Sequence, residues 1–127
     1  MRKVKEYKNK YNRMPINMSS TKFLSVYTLH YIVKKDKPVY GLEIINTIRN
    51  IYSKNVWYPS HSTLYPLLEQ MVDNSLLYVH KIEHNRKYYN ATEEGILYLT
   101  KQKEELKEII YDTCMFFNSI REELYGD

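Results

Sequence analysis

The sequence predicts a mostly α-helical single domain that carries one small β-hairpin and ends in a long helix. Three observations lead there. Between Phe23 and Met71, apolar residues recur at three- and four-residue steps in three separate stretches. Two short runs rich in Leu, Tyr, Val and Ile follow, with a polar turn between them. From Thr92 onward, helical spacing runs to the end without a proline. A chain of 127 residues supports one modest core and excludes a two-lobed enzyme with a cleft between its lobes. Its 43% hydrophobic and 27% charged residues sit near the average for soluble proteins, which argues against a disordered chain or a membrane protein.

The elements follow in order. Residues 1–16 mix Lys, Asn and Tyr without an apolar face and end at Met14-Pro15, the pattern of a basic arm. Asn17, Ser19 and Ser20 offer N-cap oxygens to a first helix whose Phe23, Leu24, Val26, Tyr27, Tyr31 and Ile32 share helical spacing and which ends near Lys35. Lys-Asp-Lys-Pro stops it. Gly41 opens a second helix through Leu42, Ile44, Ile45, Ile48 and Ile51, to about Tyr52. After a loop, Ser60 is the natural N-cap of a third helix with Leu64, Leu67, Leu68 and Met71 in one stripe. Pro66 would forfeit a bond to the carbonyl of Ser62, so a later start or an irregular first turn is expected there. Leu76–Ile82 and Lys87–Ala91 are the hairpin strands, His84-Asn85-Arg86 is the turn, and Asn85 is the residue suited to positive φ. Thr92 caps the last helix, with Glu93 and Glu94 in its favourable first turn. A helix of some 30 residues is about 45 Å long. The small elements before it cannot cover that length. Its stripe of Leu99, Leu106, Ile110, Phe117, Ile120 and Leu124 therefore calls for a second copy of the chain, with Lys103 and Thr113 breaking a strict heptad.

Charge is polarised along the chain. Residues 1–13 carry six Lys/Arg and one acid, residues 14–92 nine and five, and residues 93–127 four and nine, for a net +4 overall. A basic first two thirds and an acidic last third suggest one surface that meets a polyanion and another that avoids it. Double-stranded DNA is the first partner to consider. The basic N-terminus has no apolar stretch behind it, which argues against a signal peptide or membrane contact and for a cytoplasmic protein. The lone Cys114 agrees with a reducing compartment, and its apolar neighbours suggest buried packing.

Three helices, a β-hairpin and a long helix form the layout of a winged helix-turn-helix with a C-terminal dimerisation helix. It divides into a basic N-terminal arm (1–16), a DNA-binding domain (17–92) and a dimerisation helix (93–127). Three blocks also match a family: Pro38-Val-Tyr-Gly41-Leu-Glu43-Ile44, then Trp57 to Met71 with Ser60-His-Ser-Thr63-Leu64-Tyr65-Pro66, then Arg86-Lys87-Tyr88-Tyr89 to Gly95. In order and spacing the sequence resembles the PadR-like transcriptional regulators. That resemblance implies a homodimeric repressor answering to a small molecule or stress, with the third helix in the major groove and the wing on the backbone or minor groove. Leu42 and Ser75 stand where the family usually has tyrosine and glycine, and Ala91 where it has leucine. Tyr40 is the candidate to replace the first in a phosphate contact.

The expected DNA-contacting residues are Ser60, His61, Ser62, Thr63 and Tyr65 on the third helix, Lys81, Arg86, Lys87 and Tyr89 on the wing, and Lys22 and Tyr40 beside them. Hydroxyls at a helix N-terminus suit phosphates and base edges; the plain alternative is that they cap the helix. No Lys or Arg occurs from Asn55 to His80, so charge neutralisation must come from the wing, from Arg49 and Lys54, from Lys22 and from the arm. The expected dimer interface is Leu106, Ile110, Phe117, Ile120 and Leu124.

Catalysis has no residues to carry it. His80 and His84 share a strand face but stand about 13 Å apart, too far to hold one metal ion together. No cofactor is expected. Cys114, Met115, Phe116 and Phe117, with Phe23 and Tyr27 opposite, form an apolar cluster that could take a small hydrophobic effector, plain interface core being the alternative. Two rival readings stay open: a DNA-binding accessory protein of partition or conjugation, and a winged-helix module that binds only proteins.

Overall fold

The computed structural model describes residues 20–52 and 59–126. The basic arm, the cap candidates Asn17 and Ser19, and Lys54 and Trp57 lie outside the described residues. Helix α1 (Ser20–Lys35) ends where Asp36 turns to φ 55°, its N–H reaching the carbonyls of Ile32 and Val33 at 3.2 and 3.1 Å. Strand β1 (Val39–Tyr40) follows, then α2 (Gly41–Tyr52), α3 (His61–Asp73), β2 (Leu77–Glu83), β3 (Arg86–Ala91) and α4 (Glu93–Tyr125). Thus three helices, a hairpin and a long helix are present, as expected. The addition is β1.

The three strands form an antiparallel sheet in the order β1-β3-β2, with Val39 opposite Tyr89 and Tyr40 opposite Tyr88. Only His84 and Asn85 separate β2 from β3, and both adopt positive φ, 51° and 62°. That is the backbone of a type I′ hairpin turn, whose twist matches that of the strands. Arg86 therefore belongs to the strand, not to the turn. His84 sits in the turn, and a bulge between Val79 and Lys81 breaks the alternation, so His80 and His84 do not share a strand face.

Helix α3 corrects the expectation at Pro66. It starts at His61 and runs straight through the proline. Ser60 caps it, its hydroxyl accepting from the Thr63 N–H at 3.2 Å and its carbonyl from the N–H groups of Thr63 and Leu64 at 3.1 Å. Buried Leu64, Leu67, Leu68 and Met71 hold the helix while Pro66 faces outward, so the missing bond is offset by core packing.

The core gathers Leu24, Leu29 and Ile32 of α1, Ile44, Ile45 and Ile48 of α2, the α3 stripe, and Val39, Leu77 and Tyr89 of the sheet. Helix α4 closes it with Leu99 and Leu106. Leu106 is only 5% exposed, which corrects its assignment to a dimer interface: it seals its own subunit's core. Cys114, expected to be buried, is exposed because α4 has by then run past the body.

At 33 residues α4 is about 50 Å long. Its first turn is fixed at Thr92, whose side chain accepts from the Gly95 N–H at 2.8 Å and donates to the carbonyl of Ser75. Thr92→Ala is expected to cost about 1 kcal/mol, a fall in melting temperature of about 3–6 °C. Thermal unfolding followed by circular dichroism checks it. Among the described residues no helix is long and apolar enough to cross a membrane.

Candidate nucleic-acid interface

Because α3 buries one narrow stripe, the opposite side faces outward: Ser62, Pro66, Glu69 and Asp73, flanked by Thr63, Tyr65 and Gln70. Residues from this face, with Thr21 and Leu24 of α1, line a groove of about 560 Å³. Lys22 is half-buried on α1 beside them. At the N-terminus, the Ser60 hydroxyl lies 2.9 Å from that of Ser62 and 3.0 Å from that of Thr63. Ser60 is thus occupied as a cap, and Ser60, Ser62 and Thr63 form a hydrogen-bonded cluster of exposed hydroxyls. His61 lies 3.1 Å through Nδ1 from Arg49 Nη1 of α2, and its ring stacks at 6.5 Å on Tyr65. Arg49 thereby brings a guanidinium to a helix with no cation of its own.

A second groove, of about 390 Å³, separates α3 from the wing and is lined by Tyr40, Tyr65, Glu69, Arg86 and Lys87 among others. The period-two alternation of β3 sends its cations to different faces. Arg86 lies 4.7 Å over the ring of Tyr40, which packs on Tyr88 at 5.7 Å, and Lys81 lies 4.7 Å over Tyr88. Two tyrosines between two cations hold both charges on one sheet face by cation–π attraction. Lys81 also pairs with Glu83 at 2.9 Å, which raises its pKa. Lys87 points to the other face and pairs with Glu69 of α3 at 3.2 Å.

Tyr89, expected to contact DNA, does not face outward. It is 3% exposed, and its hydroxyl donates to Glu69 Oε1 at 3.1 Å. Burial, then the charge and hydrogen bond of Glu69, push this phenol far above its ordinary pKa, so it stays a donor. Tyr40 acts differently from a phosphate ligand waiting alone: its ring carries Arg86. Helical spacing puts Glu69 on the outward face of the third helix, but sequence reasoning missed its ties to Tyr89 and Lys87, and missed Tyr88 and Glu83. The position of Glu69 seven residues after Ser62 carries its outward placement, whereas its partners on β3 come only from the folded chain.

Beyond Leu106 and half-buried Ile109, the face of α4 that packs on the body continues as Ile110, Phe117, Ile120 and Leu124, all within about 100° of arc. These four are 46%, 44%, 38% and 65% exposed. Phe116 and Phe117 meet edge-on at 5.5 Å, and Cys114 and Met115 beside them are exposed. Helix α1 therefore does not close this cluster within one subunit.

A three-helix body with a three-stranded wing and a long terminal helix is a winged helix-turn-helix. Residues 29–101, more than half of the chain, match the model of the transcriptional regulator PadR-like family, and the chain belongs to that family. It is a DNA-binding transcriptional regulator, not an enzyme. A comparison with curated proteins finds none that matches. Among solved structures, a PadR family transcription regulator from Clostridium difficile is 24% identical, covering 75% of this chain and 98% of its own, with a TM-score of 0.61. A transcriptional regulator from Clostridium thermocellum is 22% identical over 85% and 98%, with a TM-score of 0.58. A PadR family transcriptional regulator from Eggerthella lenta is 19% identical over 84% and 85%, with a TM-score of 0.54. At such identities these likenesses carry the fold.

Proposed function

We propose that this chain is a homodimeric repressor that joins two copies through the projecting half of α4 and binds a pseudopalindromic operator. The observation that carries the reading is the unsealed stripe Ile110, Phe117, Ile120 and Leu124, continuous with a face that is sealed up to Leu106. A two-fold axis there repeats α3 and the wing, so the half-sites stand about one helical turn, or 34 Å, apart. In this reading Ser62, Thr63, Tyr65 and His61 approach base edges, while Arg86, Lys81 and Lys22 meet phosphates. The aromatic cluster at Phe116 and Phe117 lies at the dimer centre, where a small hydrophobic effector would act on the spacing of the two halves. The basic arm, net +5 over 13 residues, adds nonspecific attraction.

Salt dependence tests the DNA reading. For every phosphate that a variant no longer neutralises, the slope of log affinity against log salt falls by about 0.9. Arg86→Ala is expected to flatten it by about two units in the dimer, one phosphate being given up by each subunit. Lys87→Ala should do less, since Lys87 is already paired with Glu69. Arg86→Ala should weaken binding to all duplexes alike, whereas Ser62→Ala and Tyr65→Phe should alter which sequence is preferred. An unchanged slope together with unchanged preference would move the reading to a protein-binding module. Mapping of bound sites separates the roles: one palindrome near a promoter fits a repressor, a tandem array fits partition.

A further inference from the structure

We propose that Glu69 is a specificity-determining residue that accepts a hydrogen bond from one cytosine in the major groove, with Tyr89 and Lys87 as its positioning residues. The inference rests on the DNA-binding reading above. Glu69 lies on the outward face of α3, seven residues after Ser62 and three after Pro66, and it lines both the groove toward α1 and the groove toward the wing. A carboxylate on a reading helix faces a polyanion, which is unfavourable unless its charge is offset and its direction fixed. Both conditions are met. Lys87 Nζ lies 3.2 Å from Oε1 and the Tyr89 hydroxyl 3.1 Å from the same oxygen. Both hydrogen bonds end on Oε1, and among the described residues Oε2 makes none. Half-exposed, with 53% of its side chain open to solvent, Glu69 therefore presents one anchored oxygen and one available oxygen.

An ionised carboxylate only accepts. In the major groove guanine offers acceptors O6 and N7 and thymine the acceptor O4, so both repel it. Adenine offers its N6 amino group, but with the N7 acceptor beside it. Cytosine offers the N4 amino group without an adjacent acceptor on the same base, and is the match for a single carboxylate oxygen. Tyr89 is part of the hydrophobic core, so the anchor is rigid rather than a surface side chain. The bland alternative is that the Glu69 hydrogen bonds only tie the wing to α3.

Selection of bound duplexes from a randomised pool by the full-length protein separates the two. The wild type is expected to prefer cytosine at one position of each half-site by roughly 5- to 150-fold. Glu69→Gln should abolish that preference or turn it toward adenine, whose N6 and N7 a glutamine amide matches, while the other positions keep theirs. Tyr89→Phe, which keeps the ring in the core, should weaken the preference at the same position only. Retention of the cytosine preference in Glu69→Gln would overturn the proposal, as would lowered melting temperatures in both variants with every preference intact. A wild type that selects no sequence would remove the DNA reading itself, and this inference with it.

Discussion

A chain carrying Asp in place of both Ile110 and Phe117 is expected to sediment as a folded monomer and to lose operator affinity by about 10²- to 10⁴-fold, the usual gain from linking two binding modules. In one subunit these residues are 46% and 44% exposed and stand outside the buried core, so the substitutions leave that core in place. Across a two-fold axis they would bring four buried carboxylates together without partners, a cost no apolar seam of this size can carry. Leu106→Asp is the matched control. At 5% exposure it lies in the core, so it should unfold the chain rather than divide a dimer. Sedimentation and far-ultraviolet circular dichroism on the two variants distinguish the outcomes. A double Asp variant that sediments as an intact dimer would remove the α4 interface from the proposed function.

The stripe from Leu99 to Leu124 was legible in the sequence because helical periodicity alone carries it. Where the stripe passes from core to open surface was not, since that point depends on how far the body reaches along a 33-residue helix, and the spacing of Leu106 and Ile110 is the same on either side. The caps at Ser60 and Thr92 were legible for a similar reason: their effect is local. Strand β1 has two residues, too few to alternate, and became a strand only by pairing with β3. Tyr88 and Tyr89 look alike in sequence, and only the register of β3 between two neighbours sends one outward under Lys81 and the other into the core. The absence of Lys and Arg on α3 pointed to charge from elsewhere. That Lys87 supplies it to Glu69, across 18 residues of chain, is a consequence of hairpin docking that no local pattern encodes.

The seating of α4 against the start of the hairpin turns on one close approach, and Gly95→Ala should displace it. A Cβ at Gly95 would overlap the backbone carbonyl oxygen of Leu76 and come within 3.0 Å of its carbon, with Leu29 Cδ2 of α1 at 3.3 Å. The obstructing atoms are backbone, and they cannot yield cheaply. The Leu76 carbonyl accepts the Thr92 N–H at 3.1 Å, while its own N–H bonds the carbonyl of Met71 at 2.9 Å at the end of α3. Relief must come from α4 lifting off the sheet, which also pulls on the Thr92 cap that the Gly95 N–H completes. Overpacking of this kind costs typically 1–3 kcal/mol, and a rigid backbone obstacle places the expected loss at or above the upper end, a fall in melting temperature of about 10 °C. Because Gly95 sits where the wing meets the helix that carries the proposed dimer seam, the same displacement changes the distance between two α3 helices across the axis. Operator affinity should then fall further than the reduced stability explains, even at temperatures where the variant is fully folded. Binding measured well below the melting temperature, on operators with half-site spacing varied by one base pair either way, checks this. Recovery of affinity at an altered spacing is the expected result, and full wild-type affinity at the native spacing would show that Gly95 sets stability alone.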